Sequence, residues 1–335
     1  MKLALICLTI ILLSTDAFTQ TDNWTSGRPD GHAPIGVMGD HRHGAKEWMV
    51  SYRYMRMGMQ DNLDGTNRLT NEQILTNYMV APQQMTMTMH MHMVGVMHAP
   101  TDRLTLMAMA QYLTNDMNLR SRMGMNFSTV GQGLGDTRVS AIYGLFNRGR
   151  QTMHLNLGVS IPTGSINERD ATPMETDMQL PYPMQTGSGN WDVLPGLTYL
   201  GQTDRVSWGA QATGTVRLGE NDRGYTLGNQ LNGTGWVAYR WNNWWSTSLR
   251  LAGSTGVAID GRDEELNPMM IPTANTNNFG GQRLDGLLGV NFYVHEGRLY
   301  NHRLSVEFGL PLYQHLNGPQ MAGRSVLTLG WQWAF

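Results

Sequence analysis

The sequence predicts an all-β protein, an antiparallel transmembrane β-barrel of about 12 strands with short periplasmic turns and long extracellular loops. Three observations predict it. The chain opens on an export signal but holds no later apolar run long enough for a membrane helix. Apolar and polar residues alternate with period two in segment after segment. Short and long connections between those segments alternate strictly, as in outer-membrane barrels.

Composition fits this class and excludes others. The 335 residues carry 24 Lys+Arg against 26 Asp+Glu, a net charge of −2, so a basic nucleic-acid binder is excluded and no nucleic-acid partner is expected. Charged residues make up 15%, against about 25% in soluble domains. The 39 glycines fit a turn-rich β protein.

The elements follow in order. Lys2, the apolar run Leu3–Leu13 and the small residues Ser14 to Ala17 make residues 1–17 a signal peptide. Its removal takes away Cys7, the one cysteine, so the mature chain is expected to hold no disulfide and no thiolate ligand. Residues 18–45, rich in Gly, Pro, Asp and His, read as an irregular periplasmic segment or partial plug. Residues 46–335 form the barrel. Strands are expected near 47–59, 85–97, 103–118, 134–146, 151–163, 190–200, 205–218, 231–241, 245–259, 282–294, 302–315 and 324–335. A separate strand at 117–127, with one more from the first loop, would make fourteen. Loops are expected at 60–84, 119–133, 164–189, 219–230, 261–281 and 316–322. In the last strand Leu327, Leu329, Trp331, Trp333 and Phe335 share a face that suits lipid. A barrel chain ending this way looks like a substrate of the barrel-assembly machinery. The partners expected are therefore that machinery, outer-membrane lipid and a small ion or molecule. The location is the bacterial outer membrane.

Gly133-Leu134-Gly135-Asp136 opens one strand. Gly158-Val159-Ser160-Ile161-Pro162-Thr163-Gly164 closes another, and Gly187-Ser188-Gly189-Asn190-Trp191-Asp192 opens a third. In this order they resemble the outer-membrane family named after the meta-pathway of phenol degradation, over roughly residues 100–335. The resemblance implies a transporter-like barrel passing small hydrophobic molecules and supplies no catalytic residues. The Met-rich first quarter departs from the usual pattern.

Of the 25 methionines, sixteen lie between Met49 and Met125. In the run Met85 to Met93, methionines occupy one strand face and Thr86, Thr88, His90 and His92 the other. With the polar face turned inward, His90 and His92 line the lumen and the methionine row meets lipid. On the neighbouring strands Met55, Met57, Met59, Met107 and Met109 fall inward. Thioethers and imidazoles without thiolates suit Cu(I). These seven residues are therefore candidate metal ligands, and Met38, His41 and His43 form a second candidate cluster near the N-terminus. The expected function is a non-enzymatic outer-membrane transporter or binding protein for soft metal ions, with bound copper but no required cofactor. The alternative is a channel for small hydrophobic or aromatic compounds. Further readings are an outer-membrane hydrolase and a structural barrel.

Overall fold

The computed structural model describes residues 24–335; the expected signal peptide at 1–17 lies outside the described residues. The strands are β1 (Trp48–Gly65), β2 (Val80–Thr101), β3 (Leu104–Ser121), β4 (Asn126–Leu134), β5 (Thr137–Arg148) and β6 (Gln151–Ile161). They continue with β7 (Trp191–Gln202), β8 (Val206–Leu218), β9 (Gln230–Arg240), β10 (Trp245–Gly256), β11 (Gly281–Tyr293) and β12 (His302–Ala334). Apart from β4 and β5, each pairs antiparallel with its sequence neighbours, and β12 returns to β1 to close the ring. β4 and β5 both pair with β3 and fill one wall position, interrupted at Gly135-Asp136.

β12 runs for 33 residues. Straight, it would reach about 110 Å at ~3.3 Å per residue, several times the roughly 25 Å apolar band of such barrels. Its first part pairs with β11 from Arg303 to Leu316, and its second pairs with β1 from Leu316 to Ala334. A closed ring of antiparallel strands needs an even number of crossings, and the other strands supply ten. β12 therefore folds back into two legs. The Gln314 side chain clamps the fold by bonding both the N–H and the C=O of Gly323, at 2.8 and 2.9 Å. Gly318 takes a positive φ of 67° within it. The wall has twelve crossings.

Two expected loop boundaries shift. β1 and β2 extend to Gly65 and from Val80, and β3 and β4 leave only residues 122–125 between them. The extracellular hairpins keep their ladders beyond the membrane. There neither face meets lipid, so the alternation that marks a strand fades. The region 117–127 is the tip of the β3–β4 hairpin and not a separate crossing. The residues 316–322, expected as a loop, lie in the β12 fold-back.

The outer face carries the apolar band. Leu155, Leu157, Val237, Leu249, Leu251, Leu288, Leu304, Phe308 and Leu310 are all exposed on it. Trp48, Trp241 and Trp244 stand at the short-turn end, where an aromatic girdle marks the membrane edge. The long connections carry helix α1 (Asn71–Asn77), capped by Thr70 and Gln73, and two small two-stranded ladders.

Candidate functional site: a methionine wall between plug and cap

The lumen holds three layers. At the short-turn end, residues 24–47 thread inside the barrel. Arg303 donates to the carbonyls of Arg28 and Pro29 at 2.8 and 3.0 Å. Ser246 and Ser207 donate to the carbonyls of Pro29 and Asp30. Gly36 N–H donates to Glu307 at 2.9 Å, and the same carboxylate is held bidentate by Arg250 at 2.7 and 2.9 Å. His154 and Asn156 both reach the Gly39 carbonyl at 3.0 Å, and Gln211 donates to that of Met38. Polar lumen residues thus satisfy the irregular backbone of the segment, which non-ladder chain at membrane depth requires.

Next comes a sheet of thioethers across β1, β2 and β3. Met49 faces Met97, Met55 faces Met91, Met57 faces Met89 and Met59 faces Met87 across the β1–β2 ladder. Met97 faces Met107, and Met87 faces Met117, across β2–β3. Met49, Met87, Met93, Met97, Met109 and Met117 are buried. Met55, Met57, Met59, Met107 and Met109 therefore lie on the lumen wall.

His90 and His92 do not. The β2 face is the reverse of the one expected. The methionine row points inward, while His90, His92, Val94 and Val96 share the outer face, where Val94 and Val96 are exposed. Tyr54 Oη is hydrogen-bonded to His90 Nδ1, and Tyr52 Oη to His92 Nδ1, each at 2.7 Å. The tyrosine partners on β1 satisfy the imidazoles at the exterior. The inner face can be apolar because it packs on loops rather than on water. The proposed grouping of His90 and His92 with the lumen methionines is corrected accordingly.

At the other end the long connections fold inward as a cap. Leu180, Tyr182, Met184, Tyr225, Ile259, Leu266 and Ile271 pack with Met87, Met117 and Leu119 in one apolar cluster. Two cavities flank it. One of about 330 Å³ lies against Met59, Met87, Met321, Phe279 and Arg283. The other, about 190 Å³, opens outward and is lined by Met79, Met123, Met125, Phe127, Met174, Met178 and Met270 among other residues.

The second cluster sits in the plug. Met38 Sδ accepts from Arg53 Nη1 at 2.6 Å. His41 Nε2 lies 3.2 Å from His43 Nε2, and Asp40 Oδ1 holds His41 Nδ1 at 2.9 Å. His32, which sequence reasoning missed, lies against His41 with ring centroids 3.8 Å apart and the planes tilted by 45°. Its position in Gly31-His32-Ala33-Pro34, eight residues before the His41-x-His43 pair, was the available signal. Burial pushes the His32 imidazole well below its usual range and His43 down to about 3. Asp40, held by the neighbouring His41 and the Ala33 N–H against the opposing effect of burial, lies at about 2.

A closed antiparallel barrel with an aromatic girdle, a lipid-facing apolar band and a lumen filled by its own chain is an outer-membrane barrel. The chain belongs to the family described as "Putative MetA-pathway of phenol degradation", which matches residues 87–263, more than half of its length. In fold it is similar to an outer membrane channel from Pseudomonas putida F1, with 15% identity, a TM-score of 0.63 and coverage of 89% of this chain and 99% of that one. It is also similar to the transport unit of the autotransporter AIDA-I from Escherichia coli, at 11% identity and a TM-score of 0.49, covering 89% and 93%. The P. putida toluene transporter TodX gives 10% identity and a TM-score of 0.40, covering 88% and 91%. No curated protein matches the chain. The protein is located in the bacterial outer membrane, and its fold is that of a channel-type barrel.

Proposed function

We propose that the barrel binds and passes small, weakly polar organic molecules, aromatic ones included, without performing chemistry on them. The observation that carries this reading is the outward-opening cavity of about 190 Å³, lined chiefly by apolar side chains, six methionines and Phe127 among them, with Arg122 and Glu265 also in its wall. An apolar cavity of about 150 Å³ takes up benzene, so the volume suits a single aromatic ring. Methionine is the adaptable lining for ligands of varied shape. The apolar cluster of the cap shares Leu119, Leu180, Leu266 and Ile271 with this cavity and reaches the methionine wall at Met87 and Met117. The family description, which names phenol degradation, agrees with such cargo. Copper transport, the expectation from sequence, loses its ligand geometry once His90 and His92 face outward. Membrane insertion through a C-terminal strand ending at Phe335 belongs to the same reading.

The test is binding of toluene and phenol to the detergent-folded protein, followed by displacement of a fluorescent naphthylamine probe. Met174→Glu with Met178→Glu puts charge into the cavity from loop positions, outside the barrel wall. The expected result is at least a tenfold loss of toluene binding. Unchanged binding in this variant, or none in the wild type, would overturn the reading.

A further inference from the structure

We propose that the plug carries a transition-metal site of the zinc–copper class, built by His41 and His43 with His32 as the third imidazole. Two observations converge on it. The Nε2 atoms of His41 and His43 point at each other from 3.2 Å. Two imidazole nitrogens bound at ~2.0–2.1 Å to one tetrahedral ion lie about 3.3 Å apart, so the pair already has the required separation.

The second observation is what stands behind the rings. Asp40 Oδ1 takes the Nδ1 of His41 at 2.9 Å, and Glu47 Oε2 lies 3.5 Å from the Nδ1 of His43. A carboxylate behind Nδ1 fixes the tautomer in which Nδ1 carries the proton, and it raises the basicity of the free nitrogen. Asp40 holds His41 this way, so the Nε2 lone pair of His41 is aimed at His43 Nε2 across 3.2 Å. A cation between the two nitrogens would replace that single contact by two bonds. The site lies in a tightly buried turn, in which Asp40, His41 and His43 are all buried. Ligand atoms of His32, Asp40 and His41, without His43, fall within 4.8 Å of one another. His32 Nδ1 is enclosed and has no hydrogen-bond partner, so its ring would turn toward the His41–His43 pair to complete the site. Imidazoles without thiolates are the donor set of zinc and copper. Arg53 and Arg303 add positive potential at His32, and Asp40, bonded to His41, supplies negative charge within the cluster.

The consequence is a staple on the plug. The ion would tie His32 to His41 and His43, and His43 N–H is itself anchored on Thr105 of the wall at 3.1 Å. This role is separate from passage of organic molecules and stands whether or not that reading holds.

The experiment uses the full, untagged chain folded in detergent, with folding checked by heat-modifiable gel mobility. Zn²⁺ and Cu⁺ are offered singly against a chromophoric chelator, and bound metal is counted by mass spectrometry. One ion per barrel is expected. His41→Gln with His43→Gln should abolish it, and Asp40→Asn should weaken it about 10–100-fold, as loss of an outer carboxylate does. Met107→Leu with Met109→Leu should leave binding unchanged. Chelation should also raise protease cleavage of the plug. No ion on a folded wild type would overturn the proposal, as would binding that survives the double His variant or vanishes with His90→Gln and His92→Gln.

Discussion

Asp136 and Ser188 are joined twice. One carboxylate oxygen of Asp136 accepts the Ser188 N–H at 2.9 Å and its hydroxyl at 2.8 Å. The other accepts the Gly164 N–H at 3.0 Å. The three sequence motifs that carry the family resemblance thus meet at one buried carboxylate. The glycines have a physical reason here: a Cβ on Gly164 would sit 2.6 Å from Gly187 Cα, so the two backbones touch where the loop from β6 to β7 crosses itself.

Replacing Asp136 by Ala should release that loop. Each buried donor left without an acceptor costs about 1–3 kcal/mol, and the Gly164 and Ser188 N–H groups lose theirs, while the Ser188 hydroxyl keeps the Asn190 carbonyl at 3.1 Å. Trypsin cleavage after Arg169 should rise several-fold in Asp136→Ala, while the barrel keeps its folded gel mobility. Equal cleavage in both proteins would show that the crossing glycines hold the loop without the carboxylate.

The wall was legible in the sequence because lipid and lumen impose opposite chemistry on alternate residues, as in Leu304, Val306, Phe308 and Leu310. The face of β2 was not, because Met85 to His92 alternates between two kinds of residue that each suit either side. The information lay one hairpin away. The short turn at Thr101–Leu104 sets Val96 opposite Ala108 and Val94 opposite Ala110. The outward face of β3 therefore fixes β2, and a one-residue register decides every side chain. His32 escaped notice because its partners meet only when the plug turns back on itself.

The orientation of β2 can be read with spin labels in lipid vesicles. A nitroxide at His92→Cys should be open to molecular oxygen dissolved in the bilayer. One at Met91→Cys should be shielded. The reverse pattern would restore the histidines to the lumen.

Gly36 is the most closely enclosed glycine of the plug. A side chain there would collide with both the Arg250 guanidinium and the Glu307 carboxylate, which are locked to each other. Gly36→Val should push the plug from its seat and raise single-channel conductance in planar bilayers several-fold over wild type. Arg250→Met acts differently. It strands Glu307 in a buried site, at a cost of about 3–5 kcal/mol, and should lower the urea midpoint of unfolding.

The cap should respond to alkali. Burial pushes the Tyr225 phenol up to about 12 from an ordinary 10.0, and Tyr182 also lies above its ordinary value, chiefly through burial. The two rings meet edge to face with centroids 4.7 Å apart. A raised pKa means that the folded cap keeps a proton which the opened cap gives up. The contribution of Tyr225 is complete below pH 10 and is lost between pH 10 and about 12. The rise from 10.0 to about 12 corresponds to about 2–3 kcal/mol at most. Trypsin sensitivity of the long connections should therefore rise across that interval, together with tyrosinate absorbance. Tyr225→Phe keeps the apolar ring and removes the proton, so its cap should stay closed to higher pH. An alkaline transition at the same pH in Tyr225→Phe would assign the opening to another group, with Tyr182 the next to replace.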